Sequence, residues 1–356
     1  MKKKKLVVVD VEGFRGRNNL LFFRENVGNE RHAWPMCFLY EKCKERNIEM
    51  ITGDIYLSLF EKPKAILWRN NNTSSNDKEL ISAGAYPAIL TGFENPFYAC
   101  RFYWNMHLVT KNYDHTFMPA GAASRASSKT IFHSFISPQP YYKGWIASKN
   151  FSEKGFLILI NGNAHINPLK KNYTTIAQFF YPFPSFVNRD LYIDRLRAVD
   201  YFSRESHVDL YGRGWNNPIL YNIPASSKEN IRHSWRGEVD DKFDVLKKYR
   251  FSICFENSIF DGWITEKIID SFCAGCVPVY WGAPDITNYI PKDTFIDFRE
   301  FNSYKELDEF LKKMDEKTWN KYIDNINIFL NSDQFYEFFS QERFTQRMIE
   351  IFESYF

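Results

Sequence analysis

Short apolar runs bounded by turn residues alternate along this chain with stretches whose apolar residues recur every three to four positions. The first pattern suits buried strands and the second amphipathic helices. In the first half it predicts strands at Leu6–Val11, Ile48–Thr52, Ala65–Trp68 and Ala88–Thr91, with helices at Cys37–Arg46 and Lys78–Ala83. A second set follows, with strands at Phe156–Ile160, Val208–Tyr211, Phe251–Phe255 and Val277–Trp281 and helices at Asn188–Phe202, Lys242–Tyr249 and Thr265–Phe272. Such alternation predicts α/β architecture and, occurring twice, two Rossmann-like domains. Between them, residues 119–150 are rich in Ala, Ser, Pro, Gly and Tyr without periodicity, which reads as a loop or connection and puts the boundary near 150. The expected organisation is therefore 1–150, 151–333 and a C-terminal amphipathic helix over 334–356. In that tail Phe344, Met348, Ile351, Phe352 and Tyr355 share one helical face. Packing onto the body of the protein is the first expectation for the stripe, and peripheral membrane contact, with Arg343 and Arg347 beside it, is the second.

Composition narrows the function. A chain of 356 residues suits two ordinary domains. Lys and Arg total 46 against 43 Asp and Glu, a net charge of +3 that is too small for the broad field nucleic-acid binding needs. Lys2 to Lys5 and the apolar Leu6–Val9 imitate a signal peptide, but Asp10 and Glu12 interrupt the run, and no stretch reaches the roughly 18 to 20 apolar residues of a membrane span. Six scattered cysteines fit reduced thiols in a cytoplasm. Cys273 and Cys276 have redox or zinc spacing, yet no second pair or His pair accompanies them and they fall at the end of a predicted helix, so packing is the expectation.

The chemistry concentrates in residues 237–298. The strand Phe251–Phe255 ends abruptly in Glu256-Asn257-Ser258, at the position where open α/β sheets hold ligands. A helix follows from Thr265, a hydroxyl residue suited to capping, with Gly275 as its stop. This strand–loop–helix unit aims backbone N–H groups and Lys267 at the loop, as a diphosphate site requires. Glu266 faces another direction on the helix and is of the type that accepts from ribose hydroxyls. Asp240-Asp241 precedes a helix and reads as its cap rather than as an Asp-x-Asp metal motif.

Gly237-Glu-Val-Asp-Asp-Lys242, Tyr249-Arg-Phe251, Phe255-Glu-Asn-Ser258, Thr265-Glu-Lys267, Ala274-Gly-x-Val277-Pro-Val279-x-x-Gly282-Ala-Pro284, Asn288-Tyr-Ile-Pro291 and Phe295-Ile-Asp-Phe298 together resemble the signature block of the family 10 α1,3-fucosyltransferases. The resemblance implies a GT-B fold, two Rossmann-like domains facing across a cleft, here with a C-terminal helical tail. It implies a GDP-sugar donor, GDP-β-L-fucose, held mainly by the second domain, and an acceptor approaching from the first. Asn257, Glu266 and Lys267 then fall on donor-contacting positions, and Trp263 stands where bacterial members carry tyrosine. Arg189, in Asn188-Arg-Asp-Leu-Tyr-Ile193, resembles the family's phosphate-binding arginine, while the neighbouring Arg195 and Arg197 read as solvated helix charges and Arg213 as a secondary donor-site candidate.

Inverting transfer also needs a carboxylate to take the acceptor proton. Glu94, in Gly92-Phe-Glu-Asn-Pro96, resembles the family's glutamate motif after the corresponding strand and is the expected general base. Fixed cations imply no cofactor and no divalent metal. The expected acceptor is an oligosaccharide or lipid-linked glycan, with transfer to O3 of N-acetylglucosamine or glucose. A transferase using another GDP-sugar and a catalytically silent glycan-binding homologue are the competing readings.

Overall fold

The computed structural model describes residues 5–11, 17–70, 75–96, 99–141, 144–163, 190–205, 207–218 and 224–356. The chain divides into two compact units, Met1–Tyr142 together with Tyr336–Phe356, and Lys143–Phe335. The division falls before residue 150 because the segment after it is tied to the second unit. Trp145 Nε1 donates to the Cys273 carbonyl at 2.8 Å, and the Ala147 N–H donates to Asn327 Oδ1 at 2.7 Å.

The first unit is built on a six-stranded sheet of β1 (Lys5–Asp10), β2 (Ile48–Thr52), β3 (Ala65–Arg69), β4 (Ala85–Thr91), β5 (His115–Met118) and β6 (Ile131–Ser134). Their order is β2-β1-β3-β4-β5-β6, every pair parallel. Because successive side chains in a strand point to opposite faces, the continuous apolar run of β1 serves two cores. Val7 and Val9 pack with Leu39 and Cys43 of the Trp34–Glu45 helix, while Leu6 and Val8 pack with Tyr56 and Leu80 on the other face. Two strands of this sheet were hidden from the pattern: β5, and β6, which lies inside the stretch expected to be a connecting loop.

The tail is part of this unit rather than a domain of its own. Its helix, Gln341–Glu353, buries Phe344, Met348 and Phe352 in the same core as Val7 and Val9. The Trp68 ring lies 6.3 Å from that of Phe344 and 6.0 Å from that of Phe352. The stripe that raised membrane contact is therefore spent on the first sheet. Among the described residues no helix is long and apolar enough to cross a membrane.

The second unit carries β7 (Gly155–Ile160), β8 (Val208–Tyr211), β9 (Tyr249–Phe255), β10 (Val277–Trp281) and β11 (Ile296–Asp297), in the all-parallel order β11-β10-β9-β7-β8. Counted from its first strand, this order repeats that of β1 to β5. Strand order thus reverses between β1 and β3 in one unit and between β7 and β9 in the other, and ligands of open α/β sheets bind outside the carboxyl ends of strands at such points.

Candidate active site

The chemistry-bearing loop leaves the carboxyl end of β9. Arg195, on the helix Tyr192–Arg204, caps that end, donating from Nε at 3.0 Å and Nη2 at 2.7 Å to the Phe255 carbonyl. It is 5% exposed, so its expected reading as a solvated charge is corrected: it closes a strand end that the sheet leaves unpaired. Arg197, by contrast, is exposed and pairs with Asp194 at 3.1 Å.

Glu256 follows and is fully buried. Its N–H donates to the Trp281 carbonyl at 2.7 Å, extending the β9–β10 ladder by one step. Its carboxylate accepts from the Thr265 N–H at 2.9 Å, from Thr265 Oγ1 at 2.8 Å and from Lys267 Nζ at 3.1 Å. Thr265 occupies the N-cap position of the helix Glu266–Cys273, but its hydroxyl is committed to Glu256 and Lys267 and makes no cap hydrogen bond, contrary to expectation. Such an end leaves first-turn N–H groups without intrahelical partners, where an anion is favoured.

Glu266 does not face away from Lys267. Its Oε1 lies 3.6 Å from Lys267 Nζ and 3.6 Å from Lys242 Nζ, so one carboxylate is steadied by two ammonium groups. Lys242 also meets Asp270 at 2.9 Å. Burial works to lower its pKa, but Asp270 and Glu266 outweigh that effect and hold it above the usual lysine range. Sequence reasoning missed Glu256, Thr265 and Lys242 as parts of the site, although all three stand within the motifs that carried the resemblance.

Asn257 and Trp263 meet directly, the indole Nε1 donating to Asn257 Oδ1 at 2.8 Å. The Asn257 carbonyl accepts from the Leu191 N–H at 3.1 Å. Gly262, at φ +71, makes the turn before Trp263 and donates to Asp285 Oδ1 at 2.8 Å. Space here is tight: a Cβ on Gly282 would stand 2.5 Å from Glu256 Cγ and 2.6 Å from the Tyr280 hydroxyl. Burial, with the Glu256 carboxylate beside it, keeps the Tyr280 phenol protonated.

The second unit therefore brings together Asn257, Trp263, Glu266 and Lys267. Glu94 belongs to the first unit, in the turn after β4, half-buried, with its carbonyl accepting from the Tyr103 hydroxyl at 3.1 Å. Arg189 lies outside the described residues. Arg213 is exposed and pairs with Glu238 at 3.0 Å. Of the two aspartates, Asp241 is the cap, accepting from the Phe243 N–H at 2.8 Å. Cys273 and Cys276 are buried and form no disulfide, and burial pushes the Cys276 thiol up to about 12.

Two doubly wound units of this kind define the GT-B fold of glycosyltransferases. The solved structure of Anabaena Alr3699/HepE in complex with UDP and glucose aligns over 99% of this chain and 100% of its own, with a TM-score of 0.53 at 10% identity, a likeness of fold alone. Residues 183–334 match the model of glycosyltransferase family 10 (fucosyltransferase), C-terminal part, so the likeness to that family is carried by this segment of the second unit. Helicobacter pylori α-(1,3)-fucosyltransferase FucT is 25% identical over 49% of this chain and 31% of its own. Danio rerio GDP-fucose protein O-fucosyltransferase 3 is 31% identical over 38% of this chain and 28% of its own. The similarity thus spans about a third of the length of these relatives.

Proposed function

We propose that the chain transfers L-fucose from GDP-β-L-fucose, with inversion, to O3 of an N-acetylglucosamine or glucose unit in an oligosaccharide or lipid-linked glycan. The observation that carries this reading is the anion-ready end of β9, where Lys267, the N-terminus of the Glu266–Cys273 helix and Asn257 converge. In this reading Lys267 and Arg189 neutralise the diphosphate, Glu266 accepts from the ribose hydroxyls and Trp263 lines the donor pocket. Glu94 takes the proton of the acceptor hydroxyl as that oxygen bonds to the fucose C1, and the C1–O bond to GDP breaks with its electron pair leaving on the diphosphate. Fixed cations supply the charge stabilisation, so the reaction as proposed draws on no divalent metal and no cofactor. The work would be done in the cytoplasm.

The test is incubation with several GDP-sugars and a panel of lactosamine and lactose acceptors, reading product mass, linkage and anomeric configuration. Fucose transferred to O3 from GDP-fucose is the expected result, and Glu94→Ala should abolish transfer while leaving GDP binding nearly intact. Transfer from another GDP-sugar would replace the donor, and glycan binding without response to GDP would leave a catalytically silent homologue. The Danio rerio relative favours one further acceptor class, so a protein panel belongs in the same assay.

A further inference from the structure

Trp263 is chemically one-sided. An indole N–H can only donate, so the Asn257 atom facing it at 2.8 Å must be the amide oxygen, which fixes the orientation of an otherwise reversible amide. The two N–H bonds of Asn257 Nδ2 then face away from the indole, and among the described residues they donate to no protein acceptor. Asn257 is half-buried, and its backbone is held by Leu191 and the Asp190–Ser258 bridge.

Trp263 is itself immobilised. It is 7% exposed, its N–H donates to the Phe260 carbonyl at 3.0 Å, and its carbonyl accepts from the buried Tyr280 hydroxyl at 3.5 Å. A tyrosine at this position would carry a hydroxyl that both donates and accepts and would leave the amide free to turn. Lys267, paired with Glu256 at 3.1 Å, likewise offers only donors.

The geometry points to Trp263 as a positioning residue that locks Asn257 with its amide N–H groups outward, so that this side chain presents donors alone to the diphosphate of a GDP-sugar. This deepens the reading given above and rests on it. Trp263 acts on the ligand through Asn257, and the loss of its N–H should therefore matter only when Asn257 is present.

A double-mutant cycle on the full chain, with GDP affinity measured by calorimetry, tests this. Trp263→Phe keeps the aromatic bulk and should weaken GDP by about three- to tenfold. In an Asn257→Ala background the same change should have no effect. An equal loss in both backgrounds would show that Trp263 acts by packing, and no loss in the wild-type background would show that the amide needs no lock. Either result overturns the proposal. Should Trp263→Phe fail to fold, Asn257→Asp serves instead: its carboxylate still accepts from the indole but turns an anion toward the diphosphate, and GDP should weaken by at least about tenfold. Unchanged GDP affinity in that variant overturns the proposal as well. A wild-type chain that binds no GDP at all would sink the underlying function, a result the cycle distinguishes by its starting point.

Discussion

Lys267 stands between two anions, one built into the protein and one proposed to arrive. Its ammonium neutralises Glu256, a carboxylate with no exposure to water, at 3.1 Å. Replacing it by alanine removes the cation from a buried charge, which should cost about 1–3 kcal/mol of stability, and also removes a charge from the diphosphate site. The two effects can be separated. Lys267→Ala should lower the thermal midpoint and weaken GDP binding, whereas Glu256→Gln combined with Lys267→Ala should recover the midpoint, because a neutral amide needs no counter-charge, without recovering GDP. A double variant that regains GDP affinity would make Lys267 a structural residue only. Lys267 and Glu266 were legible because a strand end, a short loop and a helix start lie close together in sequence. Arg195 was not, since its partner is the backbone carbonyl of Phe255, 60 positions away and of no particular side chain.

At the scale of elements, the seam between β5, β6 and the tail helix carries a pH response. Arg347 Nη2 lies 3.3 Å from His133 Nδ1, and a guanidinium only donates, so Nδ1 must accept. The His133 proton is then on Nε2, directed at His115 Nδ1 at 3.1 Å, with the His133 ring stacked on Phe117 at 4.3 Å. Burial, then Arg347 and His115, lower His133 from its ordinary 6.5 to about 4. Because the folded pKa lies below the unfolded one, the unfolded chain binds the proton more readily. The contribution is complete above about 6.5 and is lost as pH falls towards about 4. Asp114, which receives the Tyr355 hydroxyl at 2.7 Å, works in the opposite direction on His115. The thermal midpoint should fall between pH 7 and pH 4.5, and less steeply in His133→Gln; equal slopes in the two proteins would remove His133 from the response. Neither β5 nor β6 could be read from the chain. Each has four residues, and β6, at the sheet edge, is not buried enough to impose an apolar pattern.

At the scale of the whole molecule, the two sheets share one strand order although the sequence shows no internal repeat. Parallel strands joined by right-handed crossovers reach few arrangements, so a common topology needs no common residues. The alternation of patterns was therefore enough to predict two Rossmann-like units, while the path of the last residues was not, because an amphipathic face states that it must be covered and not by what. Tyr336–Phe356 returns to the first unit after the whole of the second has intervened. Three large apolar side chains, Phe344, Met348 and Phe352, are buried there, and each contributes about 1.5–3 kcal/mol. Together that is comparable with the whole stability of an ordinary domain, about 5–15 kcal/mol. A chain ending at residue 335 should therefore lose the cooperative fold of its first unit, seen as a missing melting transition and rapid proteolysis within β1 to β6. Phe352→Ala should keep the fold and lose about 3–5 kcal/mol. Unchanged protease resistance in the shortened chain would mean that the helix only covers a core able to stand without it.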